Sequence, residues 1–410
     1  MTIVARVRGA VAHPIALRLV DQGSWSVAFF LFTLTSSHVL GTSEFASLTV
    51  VTSIGVIAAA CSRAFAMDGR IVAGARAGIS VTEALSSRSV AWTSVAFAAA
   101  AVLASGGWLA LGSDRPDFVL TALAALVVLA DGPHYLLTLR GRFASAILGA
   151  LPYAAASLLA VTLSVALPGS PVVVVWMIGL AIACSLSWLA SSRLPRTARR
   201  VPEVTGTSLR ISGEALYSAL GSQLGILIIF LVAVPAATAG IRLAYSVVFA
   251  PVFSIIQALT PLLLVKMSDL GSKSGSRRPR IASLWIISGL GGVVLSGLVG
   301  WLVAATGVAG PTYGHTAPFL VPVGAALAGN LVLDTALLLL RFNADSRVPH
   351  RIRLVVVAVD LAVQLTFTLT LGLNGLIAAL VAMALVKFIV GAMIFRRQTR
   401  PQPDMESRRD

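Results

Sequence analysis

Long apolar runs, broken by short polar clusters, recur along the entire chain at the length of membrane crossings. A helix rises about 1.5 Å per residue, so about 20 apolar residues cross a hydrocarbon core of about 30 Å. By that measure the sequence predicts spans at Leu17–Leu40, Glu44–Arg63, Val90–Leu111, Phe118–Leu139, Ala144–Leu167 and Pro171–Ala190. After a polar stretch six more follow, at Glu214–Pro235, Gly240–Val265, Ile281–Ala304, Pro318–Leu340, Leu354–Leu373 and Asn374–Phe395. The expected fold class is all-α, a polytopic membrane protein of about 12 transmembrane helices in two six-helix lobes around a central cavity. The divisions are an N-terminal lobe, 1–190, a central loop, 191–213, a C-terminal lobe, 214–396, and a polar tail, 397–410, expected to be disordered.

Composition agrees with this pattern. Hydrophobic residues make up 57% of the 410 positions and charged residues 11%, whereas soluble domains are about a quarter charged. Lipid must therefore cover much of the surface. The net charge of +15 suggests nucleic acid until the charges are placed. With the N-terminus in the cytoplasm, all 31 lysines and arginines except Arg115, Arg242 and Lys387 fall at cytoplasmic helix ends, in cytoplasmic loops or in the tail. Spread over every such segment, they form the positive-inside pattern and not a nucleic-acid patch. The expected location is the inner (plasma) membrane, with both termini cytoplasmic. Arg6, Arg8 and Arg18 precede a run too long for a signal peptide, so Met1 to Pro14 is expected to be a cytoplasmic lead-in. Outer connections are short, the longest being Ala305–Ala317, and leave no room for an outer domain. Cys61 and Cys184 lie in apolar runs without metal-ligand spacing, and no cofactor or metal is expected.

Polar and ionisable groups inside spans are costly and default to functional candidates. Asp21 lies about 6 Å into the first span, Asp131 about 20 Å down the inward-running fourth, and Asp334 about 24 Å down the tenth. Lys387 lies about 20 Å down the twelfth span, Glu214 opens the seventh, and Asp360 lies about 9 Å into the eleventh. All six fall in the cytoplasmic half. They match between the lobes, Asp21 with Glu214 and Asp131 with Asp334. One reading is a hydrated, inward-open central cavity whose charges meet a polar headgroup or a coupling cation. The other makes Asp21, Glu214 and Asp360 ordinary interface residues, and Asp131 and Lys387 a structural ion pair tying the fourth span to the twelfth. Arg242 lies near the outer surface, where it can snorkel. Gln257, like Gln223, Asn330 and Gln364, either lines a path or bonds a neighbouring helix. Ser288, Gly292, Ser296 and Gly300 form a small-residue face for close helix packing. Gly55 and Pro251 share a depth when the second and eighth spans are overlaid, a faint internal repeat of the kind frequent in secondary transporters.

Several short motifs resemble a known family. They are Asp21-Gln22 entering the first span, Gly41-Thr42-Ser43-Glu44-Phe45 opening the second, and Arg63-Ala64 closing it. Further on come Asp131 with Arg140-Gly141-Arg142, and Gly240-Ile241-Arg242-Leu243-Ala244 with Pro251. These resemble polysaccharide-biosynthesis and O-antigen flippases of actinobacterial type, within the multidrug/oligosaccharidyl-lipid/polysaccharide (MOP) superfamily. The likeness runs over roughly residues 15 to 395. It departs at Ala46, where a glycine usually follows the phenylalanine, and at Ala130 and His134, which flank Asp131 in place of Gln and Arg. The resemblance implies a two-lobed bundle that moves a lipid-linked glycan between leaflets by alternating access. It also implies that an H+ or Na+ gradient, or the removal of the lipid itself, gives direction, with glycan polymerase or export machinery as partners beside the membrane lipids. The candidate substrate or ion residues are Asp21, Asp131, Arg140, Glu214, Arg242, Gln257, Asp334, Asp360 and Lys387.

Two rivals remain. A membrane enzyme, such as a glycan polymerase or ligase, needs acid/base groups on a sizeable outer loop. The outer loops offer only Glu44, Asp114, Arg115, Asp117, Tyr313 and His315, without suitable spacing. A drug or small-solute exporter has a weak point in its favour, Asp68-Gly69-Arg70, which is faintly like a major-facilitator loop motif. No phosphate-cradling glycine loop is present, so no ATP-driven mechanism is expected.

Overall fold

The structure, a computed structural model, describes residues 14–40, 42–112, 118–166, 171–197, 205–217, 277–306, 316–343 and 347–399. Between 218 and 276 it describes only residues 219, 240–241, 244–249, 252, 256, 260 and 263–267. All regular structure among the described residues is helical. A helix in lipid satisfies its own backbone N–H and C=O groups, which an open strand does not.

Helix α1 is Pro14–Val39 and α2 is Thr42–Arg63. A π-helical turn, Ala64–Asp68, joins α2 to α3, Gly69–Arg76, and the short α4, Val81–Ala84, follows. Then come α5 (Ser87–Gly112), α6 (Phe118–Leu139), α7 (Phe143–Ala166) and α8 (Val172–Ser191). Helix α9 occupies residues 205–217. A second π-helical turn, Ala244–Val248, lies in the eighth expected span. The chain continues in α10 (Arg277–Thr306), α11 (Ala317–Asn343) and α12 (Arg347–Thr399).

The expected spans and the described helices agree closely except at three places. The first is the expected loop between Arg63 and Ser89, which is largely helix, so that Ser47–Arg76 forms one 30-residue apolar helix. Arg70 and Arg76 gave this stretch the look of a loop, but Ile71, Val72 and Gly74 are buried along its other face. Secondly, residues 205–213, expected as loop, belong to α9, where Thr207, Ser208, Ile211 and Ser212 are buried. Glu214 therefore stands well inside a helix and not at its start.

The third place is α12, whose 53 residues would reach about 80 Å if straight, far beyond one bilayer. The helix reverses at Gly372, which has φ 60° and ψ −138°, a conformation open essentially only to glycine. Gly375 then backs onto Phe367 so closely that an added Cβ would stand 2.0 Å from its carbonyl oxygen. The two halves of α12 are the eleventh and twelfth expected spans. The seventh and eighth lie mostly outside the described residues.

The helices pack in two groups. In the first, α1 lies against α7 and α8, α2 lies against α5 and α6, and α6 contacts α8. Its core holds Phe32 stacked on Trp176 at 3.8 Å between ring centroids, with Tyr153, Leu123 and Leu180 around them. Helices α7 and α8 approach closely at Gly179, where an added Cβ would stand 2.2 Å from the Ala156 Cβ. In the second group α11 packs against α10 and α12. The small-residue face of α10 does what its spacing predicts. An added Cβ at Gly292 would stand 3.1 Å from Val252, and one at Gly300 would stand 2.5 Å from Val248. Leu103, Leu148, Leu284, Leu295, Val321 and Leu369 are exposed, as suits a surface that meets lipid tails.

The arginine-bearing helix ends lie together, through contacts such as Arg140 with Leu85, Ser86 with Arg196, His350 with Arg210 and Arg76 with Arg341. We call this the basic end. Here the two groups join: Ala64 and Val72 share a buried cluster with Ile211, Leu263, Leu264, Met267, Leu338, Leu339 and Phe342.

Candidate functional site

Each acidic residue expected inside a span has a basic partner in the structure. On α1, Asp21 is fully buried. Its carboxylate meets Arg18 one turn earlier, and its Oδ1 lies 2.7 Å from His134 Nε2 on α6. Arg18 also donates to Thr138 Oγ1 at 3.0 Å. Trp25 packs on the His134 ring at 4.9 Å between centroids.

On α6, Asp131 faces Arg63 at the end of α2, with Nε 3.2 Å from Oδ2. The Arg63 guanidinium stands 5.2 Å from the Tyr135 ring centroid, and the Tyr135 hydroxyl donates to Asp68 Oδ1 at 3.3 Å. Asp131 and Arg63 keep 25% and 27% of their side-chain surface accessible. This pair is thus partly accessible, unlike the fully buried Asp21. Arg140, just past α6, donates to the Leu85 carbonyl at 2.7 Å, and burial lowers its guanidinium pKa from the ordinary value.

In the second group Glu214 on α9 is fully buried and receives Arg341 of α11 through Nε at 2.9 Å and Nη2 at 2.6 Å. Asp334 on α11 pairs with Arg353 on the first half of α12. Asp360 and Lys387, on opposite halves of α12, meet at 2.5 Å and are both buried. Gln364 Nε2 donates to Asp360 Oδ1 at 2.7 Å.

Of the seven described candidates only Asp360 and Lys387 come together; the other five each have a partner outside the candidate set or a place of their own. The reading that pairs Lys387 with Asp131 is overturned: Lys387 is paired with Asp360, and Asp131 with Arg63. At the basic end the described residues of the α2–α3 helix and α9 are in contact: Ser212 Oγ donates to the Cys61 carbonyl at 3.0 Å. Arg242 and Gln257 lie outside the described residues.

Arg18, Arg63, Arg341 and Arg353 had been assigned to the general cytoplasmic charge, yet each answers a particular carboxylate. Only Arg18 had a local signal, its spacing of one helical turn from Asp21. The other three meet residues distant in sequence. Among the described residues no group of three or more His, Cys, Asp and Glu side chains is arranged to hold a metal.

Such a fold, a multi-pass bundle of apolar helices in two packed groups with paired charges inside, is that of a polytopic membrane protein. No family model matches the sequence, and no curated protein matches it. Solved structures do resemble it over nearly their full length. A MATE structure in the bent conformation superposes with a TM-score of 0.65 at 15% identity, covering 93% of this chain and 94% of that one. A MOP superfamily transporter from Pyrococcus furiosus, described as having a binding pocket of reversed polarity, gives a TM-score of 0.65 at 14% identity, with 95% and 97% covered. A multidrug resistance MATE family transporter in an outward-facing conformation gives the same values. The chain has the fold of MOP superfamily transporters.

Proposed function

We propose that this chain is a membrane transporter working by alternating access, and that it moves a lipid-linked oligosaccharide or polysaccharide precursor across the inner (plasma) membrane. The observation that carries the transporter reading is the end-to-end match to MATE and MOP transporter folds, in which 93–95% of this chain is covered. Two-lobed folds of this kind work by rocking one half against the other. The positive-inside pattern assigns the basic end, and both termini, to the cytoplasm.

The glycan reading rests on the motifs Asp21-Gln22, Gly41–Phe45, Asp131 with Arg140–Arg142, and Gly240–Ala244. It also draws on the accessible Arg63–Asp131 pair, whose two charges suit the polar head of such a lipid better than an apolar drug. An H+ or Na+ gradient supplies direction, and the glycan polymerase or export machinery takes the product. A neighbour described as a multidrug resistance transporter favours a second reading, drug export. The Pyrococcus furiosus neighbour, whose reversed pocket polarity is described as suggesting a different function, fits the rule that one fold hosts several functions.

The test is a leaflet assay in vesicles holding the protein, with a fluorescent lipid-linked oligosaccharide and an imposed H+ or Na+ gradient. Wild type moves the label, and Asp131→Asn moves it at least about tenfold more slowly, the effect of losing about 1.4 kcal/mol of interaction. Failure of folded wild type to move the label, with efflux of a cationic dye by the same vesicles, selects drug export instead.

A further inference from the structure

The contact between α2–α3 and α9 is unlike the packing inside either group. Going along α2–α3, Cys61 accepts from Ser212, Gly69 lies against Ser208, and Arg76 donates to the Arg341 carbonyl at 2.5 Å. At Gly69 the two backbones nearly touch: an added Cβ would stand 2.4 Å from Ser208 Oγ and 2.5 Å from Ser208 Cα. Ala64 and Val72 share an apolar cluster with Ile211, Leu264 and Leu339, whereas the small residues Cys61, Gly69, Ser208 and Ser212 meet through polar contacts and close fit. Such contacts are individually modest in net strength.

The seam also has a hinge. Between Cys61 and Gly69 lies the π-helical turn Ala64–Asp68, and π-helical turns are points where a helix changes direction and where functional bends occur. Arg341 ties the far side together. Its backbone carbonyl receives Arg76 from the first group, while its guanidinium holds Glu214 on α9, the helix that carries Ser208 and Ser212.

We infer that this seam is the gate at the basic end, closed in this structure. Gly69 seats against Ser208, Arg76 latches it to Arg341, and the Ala64–Asp68 turn is its hinge. The inference rests on the alternating-access reading above and names the device that would separate the two groups. Opening parts the small-residue contacts and the apolar cluster that Ala64 and Val72 share with Leu264 and Leu339, while the cores around Trp176 and Phe249 stay intact. A side chain at position 69 blocks closure, because beside the Ser208 hydroxyl it meets Ser208 Cα at 2.5 Å, a backbone atom that cannot swing aside.

A cargo-independent test uses a cysteine in the seam. In a Cys61→Ala, Cys184→Ala background, Ser212→Cys replaces the hydroxyl that bonds across the seam, and the purified full chain in detergent is labelled with a water-soluble maleimide. The introduced thiol is expected to react slowly. Adding Arg76→Ala or Gly69→Val is expected to raise its rate about tenfold or more, the response to a shift of about 1.4 kcal/mol in a two-state equilibrium. Gly291→Val serves as the control, since a Cβ there meets nothing within 4 Å, and it should leave the rate unchanged. Unchanged labelling with Arg76→Ala overturns the gate even if Gly69→Val fails to fold, as does a thiol that already reacts at the rate of the denatured chain. If labelling behaves as expected but wild type carries no cargo, the gate stands and the proposed cargo falls.

Discussion

Replacing Lys387 by methionine isolates the electrostatics of the second group. Methionine keeps most of the lysine stem and removes the ammonium, leaving the fully buried Asp360 carboxylate with Gln364 as its remaining donor. Removing one member of a buried pair typically costs about 3–5 kcal/mol. We therefore expect Lys387→Met to lose about 3–5 kcal/mol at pH 7 by unfolding in mixed detergent–SDS micelles. The double variant Asp360→Asn/Lys387→Met removes both charges and keeps the Gln364 contact. Its stability should return to within about 1 kcal/mol of wild type, because neutral replacement of a buried pair is often harmless. If single and double variants are equally unstable, the damage is packing and the charge argument is wrong. If Lys387→Met is as stable as wild type, the pair contributes nothing.

Two further substitutions test the backbone. Gly372→Ala forces a Cβ into the φ 60°, ψ −138° reversal of α12 and should cost about 1–3 kcal/mol in the same titration, while Gly291→Ala stays close to wild type. Gly179→Val should part α7 from α8, because its Cβ would stand 2.2 Å from Ala156 and 3.0 Å from the Pro152 carbonyl. A loss of about 1–3 kcal/mol, partly restored by Ala156→Gly, is expected; no restoration would move the strain to the Pro152 carbonyl.

Span positions were legible because each crossing needs an apolar run of fixed length, a demand visible in one dimension. Phe118–Leu139 is bounded identically by pattern and structure, since its runs end in polar residues at both sides. What was not legible lies where basic residues sit on otherwise apolar helix faces. In Gly69–Arg76 the arginines outweighed Ile71 and Val72 in a linear reading, yet those apolar residues decide the structure, Ile71 in a cluster with Leu85 and Leu136 and Val72 in one with Leu264 and Phe342. The position of the acids inside helices followed from sequence, but their partners did not: Arg63 is 68 residues from Asp131 and Arg341 is 127 from Glu214. A contact of that kind is a property of packing, and periodicity carries no record of it.

The ion pairs themselves argue for related halves more strongly than the motif overlay of the second and eighth spans. In each lobe the acid of its first span is held by the fourth: Asp21 by His134 on α6, and Glu214 by Arg341 on α11. Taking Asp131 and Asp334 as equivalent, the residue seven places further on is Thr138 in one lobe and Arg341 in the other. Thr138 supports Arg18, the cation beside Asp21, whereas Arg341 is itself the cation beside Glu214. One position thus serves the same carboxylate in both lobes, with the positive charge borne by the first helix in one and by the fourth in the other. The difference has a mechanical consequence. In the first lobe the charge pair lies within one helix turn and is held to α6 by His134 and Thr138. In the second the cation ties α9 to α11 at the seam where Arg76 arrives, so that the second lobe's pair is placed to feel the two groups separate.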